Sequence, residues 1–279
     1  MNPRPRFAVG LLAALASLLL VFTPFAVALE LQGEPVQGGL LFGKAAAGSR
    51  VQLDNVEIMV SADGRFVLGF GRDETGVRTL LVSHPDGATE RRDLQIAQRE
   101  YRIERVDGLP PKSVTPDPES LARIRDDARK VRQARALRDA RTDYAAGFSW
   151  PAAGRVSGVY GSQRVLNGEP RRPHFGVDVA APTGTPVQAP AAGIVTLAHR
   201  DLYYSGGTVV LDHGQGLSSS FLHMSRVLVN EGERIEKGDL IGEIGATGRA
   251  TGPHLDWRMN WLDKRVDPQR LVNGSPNPL

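Results

Sequence analysis

Two side chains that can bind a metal ion, those of His174 and Asp178, stand four positions apart in the sequence. On a helix they would share a face, but Gly176 and the β-branched Val177 and Val179 disfavour a helix. On a straight strand the two Cα atoms would lie roughly 13 Å apart, at about 3.3 Å per residue, which is too far for one zinc ion. The chain must therefore bend between them, and Gly176 permits the bend. By itself the pair is also compatible with a buried structural histidine beside a solvent-facing aspartate.

Two further histidines stand in strand-like sequence nearer the C-terminus. Residues 254–257 alternate between polar and apolar side chains, which predicts a strand with His254 and Asp256 on one face. The stretch Phe221–Ser225 alternates in the same way and carries His223. Imidazole and carboxylate groups are the usual nitrogen and oxygen ligands of zinc, so each of the three stretches carries side chains able to bind a metal ion.

Taken together, these motifs resemble the lysostaphin/LytM-type zinc metallopeptidases, which cut peptide cross-links in bacterial cell walls. The resemblance runs from about Phe148 to Leu271. The motifs that carry it are Gly176–Asp178, Pro182–Val187, Asp212–Gly214 and Gly252–His254, in addition to the histidines named above. One position departs from the family pattern, because the chain has His254-Leu255-Asp256 where the family has H-x-H.

The resemblance implies one zinc ion per chain and a role for each residue. His174 and Asp178 correspond to two of the three protein ligands, and Asp256 stands where the family has its third ligand, a histidine. His223 and His254 correspond to the non-ligand histidines, which would orient the attacking water and stabilise the oxyanion at the scissile carbonyl.

Asp256 could be a lost ligand, a decoy or a replacement. Geometry favours replacement, because an aspartate oxygen and a histidine Nδ1 are each three bonds from Cα and aspartate is an accepted zinc ligand. Two carboxylates would neutralise Zn²⁺, whereas one carboxylate with two imidazoles leaves a charge of +1. The sequence therefore predicts a site that polarises its water less strongly than the family's site.

Other hydrolytic machineries are absent from the sequence. It contains no H-E-x-x-H, no G-x-S-x-G, no S-x-x-K and no cysteine. This excludes the H-E-x-x-H zinc site that many metalloproteases carry on a helix, the usual serine nucleophile signatures, thiolate ligands and disulfides. The formal charge of +3 is a small excess of base and gives no case for nucleic acid as a partner.

The first 28 residues have the pattern of a secretory signal. Arg4 and Arg6 precede an apolar core, and Ala26-Val27-Ala28 fits a cleavage site. A retained membrane anchor is the alternative, since the apolar stretch could nearly span a bilayer. We therefore expect export to the periplasm or cell envelope, or secretion.

The remaining chain predicts a mainly β protein. Residues 29–110 alternate in short runs and predict a small antiparallel β-sandwich without chemistry of its own. Residues 111–147 predict a proline-rich linker and a connecting α-helix from Glu119 to about Tyr144, with Asp117 as N-cap. Residues 148–279 predict an antiparallel β peptidase domain with a groove over one sheet.

These observations predict an exported zinc metalloendopeptidase, a peptidoglycan hydrolase whose substrates are stem-peptide cross-links. The alternative is a catalytically degenerate domain of the same fold that binds cell wall or activates a partner amidase. A partner wall hydrolase or an envelope complex would fit either hypothesis.

Overall fold

The computed structural model describes residues 29–106 and 117–276. The predicted signal sequence and most of the predicted proline-rich linker lie outside these residues. Within the described ranges, no helix is both long enough and apolar enough to cross a membrane.

The N-terminal part folds into two small antiparallel sheets, as the short alternating runs predict. Its seven strands are β1 (Glu30–Gly33), β2 (Leu40–Lys44), β3 (Arg50–Leu53), β4 (Val56–Ile58), β5 (Arg65–Gly69), β6 (Val77–Ser83) and β7 (Thr89–Gln95). One sheet has the order β1-β2-β5 and the other the order β4-β3-β6-β7. Both sheets contribute to one apolar core, through Leu41 and Phe66 from the first and Leu80 from the second. The prediction of a mainly β protein is confirmed.

A strand and a helix follow the two sheets. Strand β8 (Ile103–Val106) does not join either sheet but pairs in parallel with a later strand at Gln163–Leu166. Helix α1 spans Pro118–Ala134. Its start is as predicted, because the Asp117 side chain accepts a hydrogen bond from the backbone N–H of Ser120 at 2.8 Å.

The helix ends about ten residues earlier than predicted, and a short 3₁₀ turn at Asp143–Ala146 follows. The stripe of apolar side chains on α1 is thin, and Ala134 is its one fully buried residue among those described. Beyond that point, side-chain bonds to the C-terminal sheet replace helical ones. Arg135 donates to the Ser220 hydroxyl at 2.9 Å, and Arg141 forms an ion pair with Asp212.

The C-terminal part is built around one antiparallel sheet. The strands of the whole C-terminal part are β9 (Arg155–Gly158), β10 (Gln163–Leu166), β11 (Glu169–Pro170), β12 (Val177–Ala180), β13 (Pro186–Gln188), β14 (Gly193–Leu202), β15 (Gly206–Asp212), β16 (Leu217–Met224), β17 (Arg226–Val227), β18 (Arg234–Ile235), β19 (Leu240–Glu243), β20 (His254–Trp261) and β21 (Lys264–Val266). The main sheet has the order β18-β14-β15-β16-β20-β12-β9, with β21 paired to β20. A 3₁₀ turn at Pro268–Leu271 follows β21. Strands β15 and β16 are buried along their whole length, as expected for central strands covered on both faces.

The N-terminal sheets pack directly on the C-terminal sheet. Phe66 and Trp257 belong to the same apolar cluster, so no solvent-filled gap separates the two parts. Gly69 on β5 makes this approach possible, because a Cβ there would lie 2.8 Å from the Cβ of Trp261. An ion pair between Arg99 and the buried Asp267 also joins the two parts, at 2.9 Å.

Candidate metal centre and groove

Three neighbouring strands of the main sheet bring together the residues singled out by the sequence. Asp178 lies on β12, and Asp256 lies directly across from it on β20. Strand β16, on the other side of β20, carries His223 next to its last residue, and this histidine lies close to His254. Two carboxylates directly opposite each other on one face repel, so this register requires a positive charge beside them.

His174 is the nearest group to both carboxylates. Its Nε2 lies 3.1 Å from Asp178 Oδ1 and 3.5 Å from Asp256 Oδ1. Its Nδ1 faces the Val159 carbonyl oxygen at 3.3 Å and donates to it, which turns Nε2 toward the carboxylates. Burial lowers the pKa of His174, but the two carboxylates outweigh burial and raise that pKa to about 10.

The same three side chains have the geometry of a metal site. Their ligand atoms all lie within 4.8 Å of one another. His174 Nε2 and Asp178 Oδ1 are buried atoms that lie 3.1 Å apart, but they form no well-aligned hydrogen bond with each other or with another described residue. Buried polar atoms are normally paired, so two orphaned ligand atoms facing each other fit a bound cation. The set of one imidazole and two carboxylates suits zinc.

Glycines let the backbone approach the carboxylates closely. A Cβ at Gly176 would lie 2.5 Å from Asp256 Oδ1, and a Cβ at Gly158 would lie 2.1 Å from Asp178 Oδ2. Gly176 was predicted from the sequence to permit a bend. In the structure its missing side chain also makes room for Asp256.

Arg258 is a site residue that the sequence analysis missed. Its Nε donates to both oxygens of Asp256 at 3.0 Å, and its NH2 group forms a further, shorter contact with Oδ2. Burial raises the pKa of Asp256, but Arg258 and His174 together lower it well below its usual value. The signal was present in the sequence, because Asp256 and Arg258 are two residues apart on a strand and share a face.

His223 is held in an unusual backbone conformation at the edge of the site. Its φ is 67°, in the left-handed region that residues other than glycine rarely adopt. Backbone bonding fixes it there, since the His223 N–H donates to the Ser205 carbonyl at 2.8 Å. Strained residues of this kind concentrate at functional sites.

In His223 and His254, the two histidines outside the candidate ligand set, a backbone carbonyl holds Nδ1 and leaves Nε2 available. His223 Nδ1 donates to Thr247 O and His254 Nδ1 donates to Gly252 O, each at 2.8 Å. The ring centroids of the two histidines are 4.8 Å apart. Burial lowers the pKa of His223, so its Nε2 is unprotonated and able to accept a proton at neutral pH.

Two other histidines of the C-terminal part lie apart from this cluster. His213 is fully buried, where its Nδ1 donates to the Ala192 carbonyl and its Nε2 accepts from the Ser219 hydroxyl, both at 2.7 Å. His199 lies on β14, and its Nδ1 accepts from the Asp201 N–H at 3.1 Å.

The candidate metal centre opens into a groove of about 1310 Å³. His174, Asp178 and His223 line it. Asp256 is 2% exposed and lies beneath them. His174 and Asp178 are therefore partly exposed in the groove, whereas His223, which is 6% exposed, and Asp256 are buried. His254 does not line the groove.

Known proteins resemble this part of the chain. Residues 172–268 match the family described as Peptidase family M23. The chain is 42% identical over 87 residues to the peptidoglycan DD-endopeptidase ShyA of Vibrio cholerae, covering 31% of this chain and 20% of that protein. It is 38% identical over 105 residues to the DD-carboxypeptidase/endopeptidase Mpg of Neisseria meningitidis, covering 38% of this chain and 24% of that protein. The chain thus spans about a fifth to a quarter of the length of these relatives.

A crystal structure extends the likeness beyond the C-terminal part. It is of a Pseudomonas aeruginosa protein described as an M23 peptidase, and it superposes with a TM-score of 0.66 at 29% sequence identity. The superposition covers 85% of this chain and 95% of that one. The resemblance drawn from the sequence motifs is confirmed, because residues 172–268 form a domain that matches peptidase family M23.

Proposed function

We propose that this chain is an exported, zinc-dependent endopeptidase that hydrolyses peptide cross-links of peptidoglycan. The observation that carries the proposal is the pair of orphaned ligand atoms, His174 Nε2 and Asp178 Oδ1, facing each other beside Asp256. The relatives named as peptidoglycan DD-endopeptidases support the substrate class. The signal pattern in the first 28 residues supports export.

His174, Asp178 and Asp256 would hold the metal ion. When bound, zinc supplies a water molecule of lowered pKa and polarises the scissile carbonyl. His223 and His254 handle the protons, because each can accept one at Nε2. A protonated histidine can then donate a hydrogen bond to the oxygen that becomes negative at the scissile carbonyl. The same proton can pass to the amine that leaves when the peptide bond breaks.

A second candidate is a non-catalytic domain that binds cell wall or activates a partner amidase. The ion pair between Asp256 and Arg258 favours it, since Arg258 satisfies both oxygens of Asp256 without a metal ion. The orphaned atoms of the other two residues favour catalysis instead, because the ion pair leaves them unsatisfied.

Digestion of cross-linked sacculi by the full chain separates the two functions. We expect released muropeptides to require zinc, to disappear with a chelator and to return when zinc is added back. His174→Ala should lose both bound zinc and activity. His223→Ala should lose activity while zinc stays bound, because His223 is not among the three ligands.

His199→Ala is the matched control, since His199 lies outside the groove. It should keep both zinc and activity. Zinc bound at one equivalent with no digestion by the wild type would support the non-catalytic domain. Loss of zinc from the His223 variant would overturn the assignment of His223.

A further inference from the structure

The groove over the candidate metal centre is strongly cationic. Seven arginines line it, together with two acidic residues, Glu104 and Asp178. These arginines are Arg102, Arg155, Arg164, Arg171, Arg172, Arg249 and Arg258. The whole chain has 34 basic and 31 acidic residues, so the excess positive charge is concentrated in the groove and is not a general property of the surface.

Most of these arginines have no carboxylate partner within the described ranges. Arg164 pairs with Glu104 at 3.0 Å, and Arg258 pairs with Asp256. The remaining five form no ion pair with a described residue, and all five are exposed. Arg249 and Arg172 instead lie over aromatic rings, which fixes their positions without neutralising them.

The positive charge continues behind the groove. Arg265 is half-buried and donates to the side chain of Asn260 at 2.8 Å, and it forms no ion pair with a carboxylate in the described part of the chain. Burial and the neighbouring guanidinium groups of Arg258 and Arg172 lower the pKa of Arg265 to about 10. The arginines of the groove therefore stand in a field that already favours an anion.

The arginines come from two separate parts of the groove wall. Arg102 precedes β8, and Arg164 and Arg171 belong to the β10–β11 hairpin that leads to His174. Arg249 belongs to the loop before His254, where it packs on Tyr204 at 4.3 Å from the ring centroid. A ligand lying along the groove past the metal centre would meet guanidinium groups from both parts.

We propose that the groove selects an acidic peptide, a stem peptide with free carboxylates, over the same peptide with those carboxylates amidated. Guanidinium groups bind carboxylates through paired, charge-assisted hydrogen bonds, which an amide cannot match. Stem peptides present such groups wherever their glutamate and diamino-acid residues are not amidated. This inference rests on the proposed function for its substrate class and adds the charge state that the groove requires.

Binding to the full-length His223→Ala variant tests the proposal without turnover. The two probes are a cross-linked muropeptide dimer with free carboxylates and the same dimer with those carboxylates amidated. We expect calorimetry to show that the amidated dimer binds at least about tenfold more weakly, given the strength of hydrogen bonds to charged groups. Raising the salt concentration should weaken binding of the free-acid dimer alone.

Two exposed arginines of the groove provide the variants. Arg102→Gln combined with Arg171→Gln should weaken binding of the free-acid dimer by about tenfold and remove the preference. Arg200→Gln is the control, since Arg200 is exposed on β14 outside the groove. Chelator-treated wild type provides a second set of titrations that does not depend on the folding of the His223 variant.

The outcomes separate this inference from the proposed function. Equal affinity for the two dimers, or an equal loss in the Arg200 variant, overturns the inference. A clear preference for the free-acid dimer, with no cleavage of it by the zinc-loaded wild type, supports the inference and overturns the proposed activity. Cleavage of both dimers at equal rates, with equal affinities, supports the proposed activity and contradicts the proposed selectivity.

Discussion

Arg258 holds one side of the Asp256 carboxylate and leaves the other side to His174. Its Nε lies 3.0 Å from each Asp256 oxygen, while Asp256 Oδ1 is 3.5 Å from His174 Nε2. Zn²⁺ with two carboxylates would be neutral, and the Arg258 guanidinium returns the local charge to +1. That is the charge of a site with one carboxylate and two imidazoles. With Arg258 included, the local charge equals that of the family's site, so the bound water should not be polarised less strongly than there.

Asp256→Ala should remove zinc binding. An outer-shell partner typically contributes roughly 10–100-fold to metal affinity, and loss of a direct ligand should exceed that range. Competition with a chromophoric chelator measures the zinc Kd. Asp263→Ala, an exposed aspartate just beyond the same strand, is the control and should leave the Kd unchanged. An unchanged Kd for the Asp256 variant would mean that Asp256 is no ligand.

Asp256→His alone should bind zinc more weakly than wild type, although it restores the family's H-x-H. The substitution leaves the guanidinium of Arg258, whose side chain is 26% exposed, without its carboxylate and beside an added imidazole. Asp256→His with Arg258→Met should recover affinity, because the stranded charge is gone. We expect a coupling of about 1–3 kcal/mol between the two positions. If the effects of the two substitutions on the zinc binding free energy simply add, Asp256 and Arg258 do not act as a pair.

Gly176→Ala should distort the metal centre. The added Cβ would lie 2.5 Å from Asp256 Oδ1 and 2.6 Å from the Trp257 carbonyl oxygen, so the carboxylate or the backbone must move. Overpacking of this kind costs roughly 1–3 kcal/mol of unfolding free energy. Zinc affinity should fall as well, because Asp256 is displaced.

Gly252→Ala is the matched control for that substitution. A Cβ at Gly252 would meet nothing within 4 Å, and its carbonyl would still accept the hydrogen bond from His254. Denaturant unfolding and zinc titration of both variants check the prediction. Equal behaviour of the two would show that the close approach at Gly176 does not matter.

We expect His213 to lower the stability of the folded state in mild acid. Burial lowers the pKa of His213 from 6.5 to about 4, so between these pH values the unfolded chain binds more protons than the folded one. The stability contributed by neutral His213 is complete above about pH 6.5. It is lost as the pH falls toward 4, by roughly 3 kcal/mol in total at 1.36 kcal/mol per pKa unit.

Chelator-treated protein and a His213→Gln variant test this contribution. The variant should be less stable at neutral pH but lose less stability between pH 6.5 and pH 4. It keeps some dependence, because burial also lowers the pKa of His223. The raised pKa of His174 acts in the opposite window, where stability is lost as the pH rises. Equal losses in wild type and variant would rule out His213 as the source.

The sequence predicted the parts of the fold that depend on local pattern. Alternation at 254–257 predicted a strand with Asp256 on one face, and β20 begins at His254 as expected. Asp117 predicted the start of α1, because an N-cap is a local interaction. The end of α1 could not be predicted, since bonds from Arg135 to a distant strand replace helical bonds there.

The sequence predicted which residues form the candidate site but not which residues surround them. Motif order was enough to single out His174 and Asp178. The left-handed backbone of His223 follows from bonds to Ser205 and Thr247, which no spacing in the sequence reveals. The groove arginines come from segments far apart in the chain. Only the folded sheet shows that Arg102 and Arg249 line the same groove.

The segment that matches the family begins at residue 172, after two groups that hold its candidate metal-binding residues in place. Strand β9 pairs with β12 and sets Gly158 against Asp178, and the Val159 carbonyl accepts the hydrogen bond from His174. A gene fragment that recombined at the limits of the match would transfer the reactive side chains without the backbone that aims them. The segment that must be transferred to keep the site intact is therefore longer than the segment that matches the family.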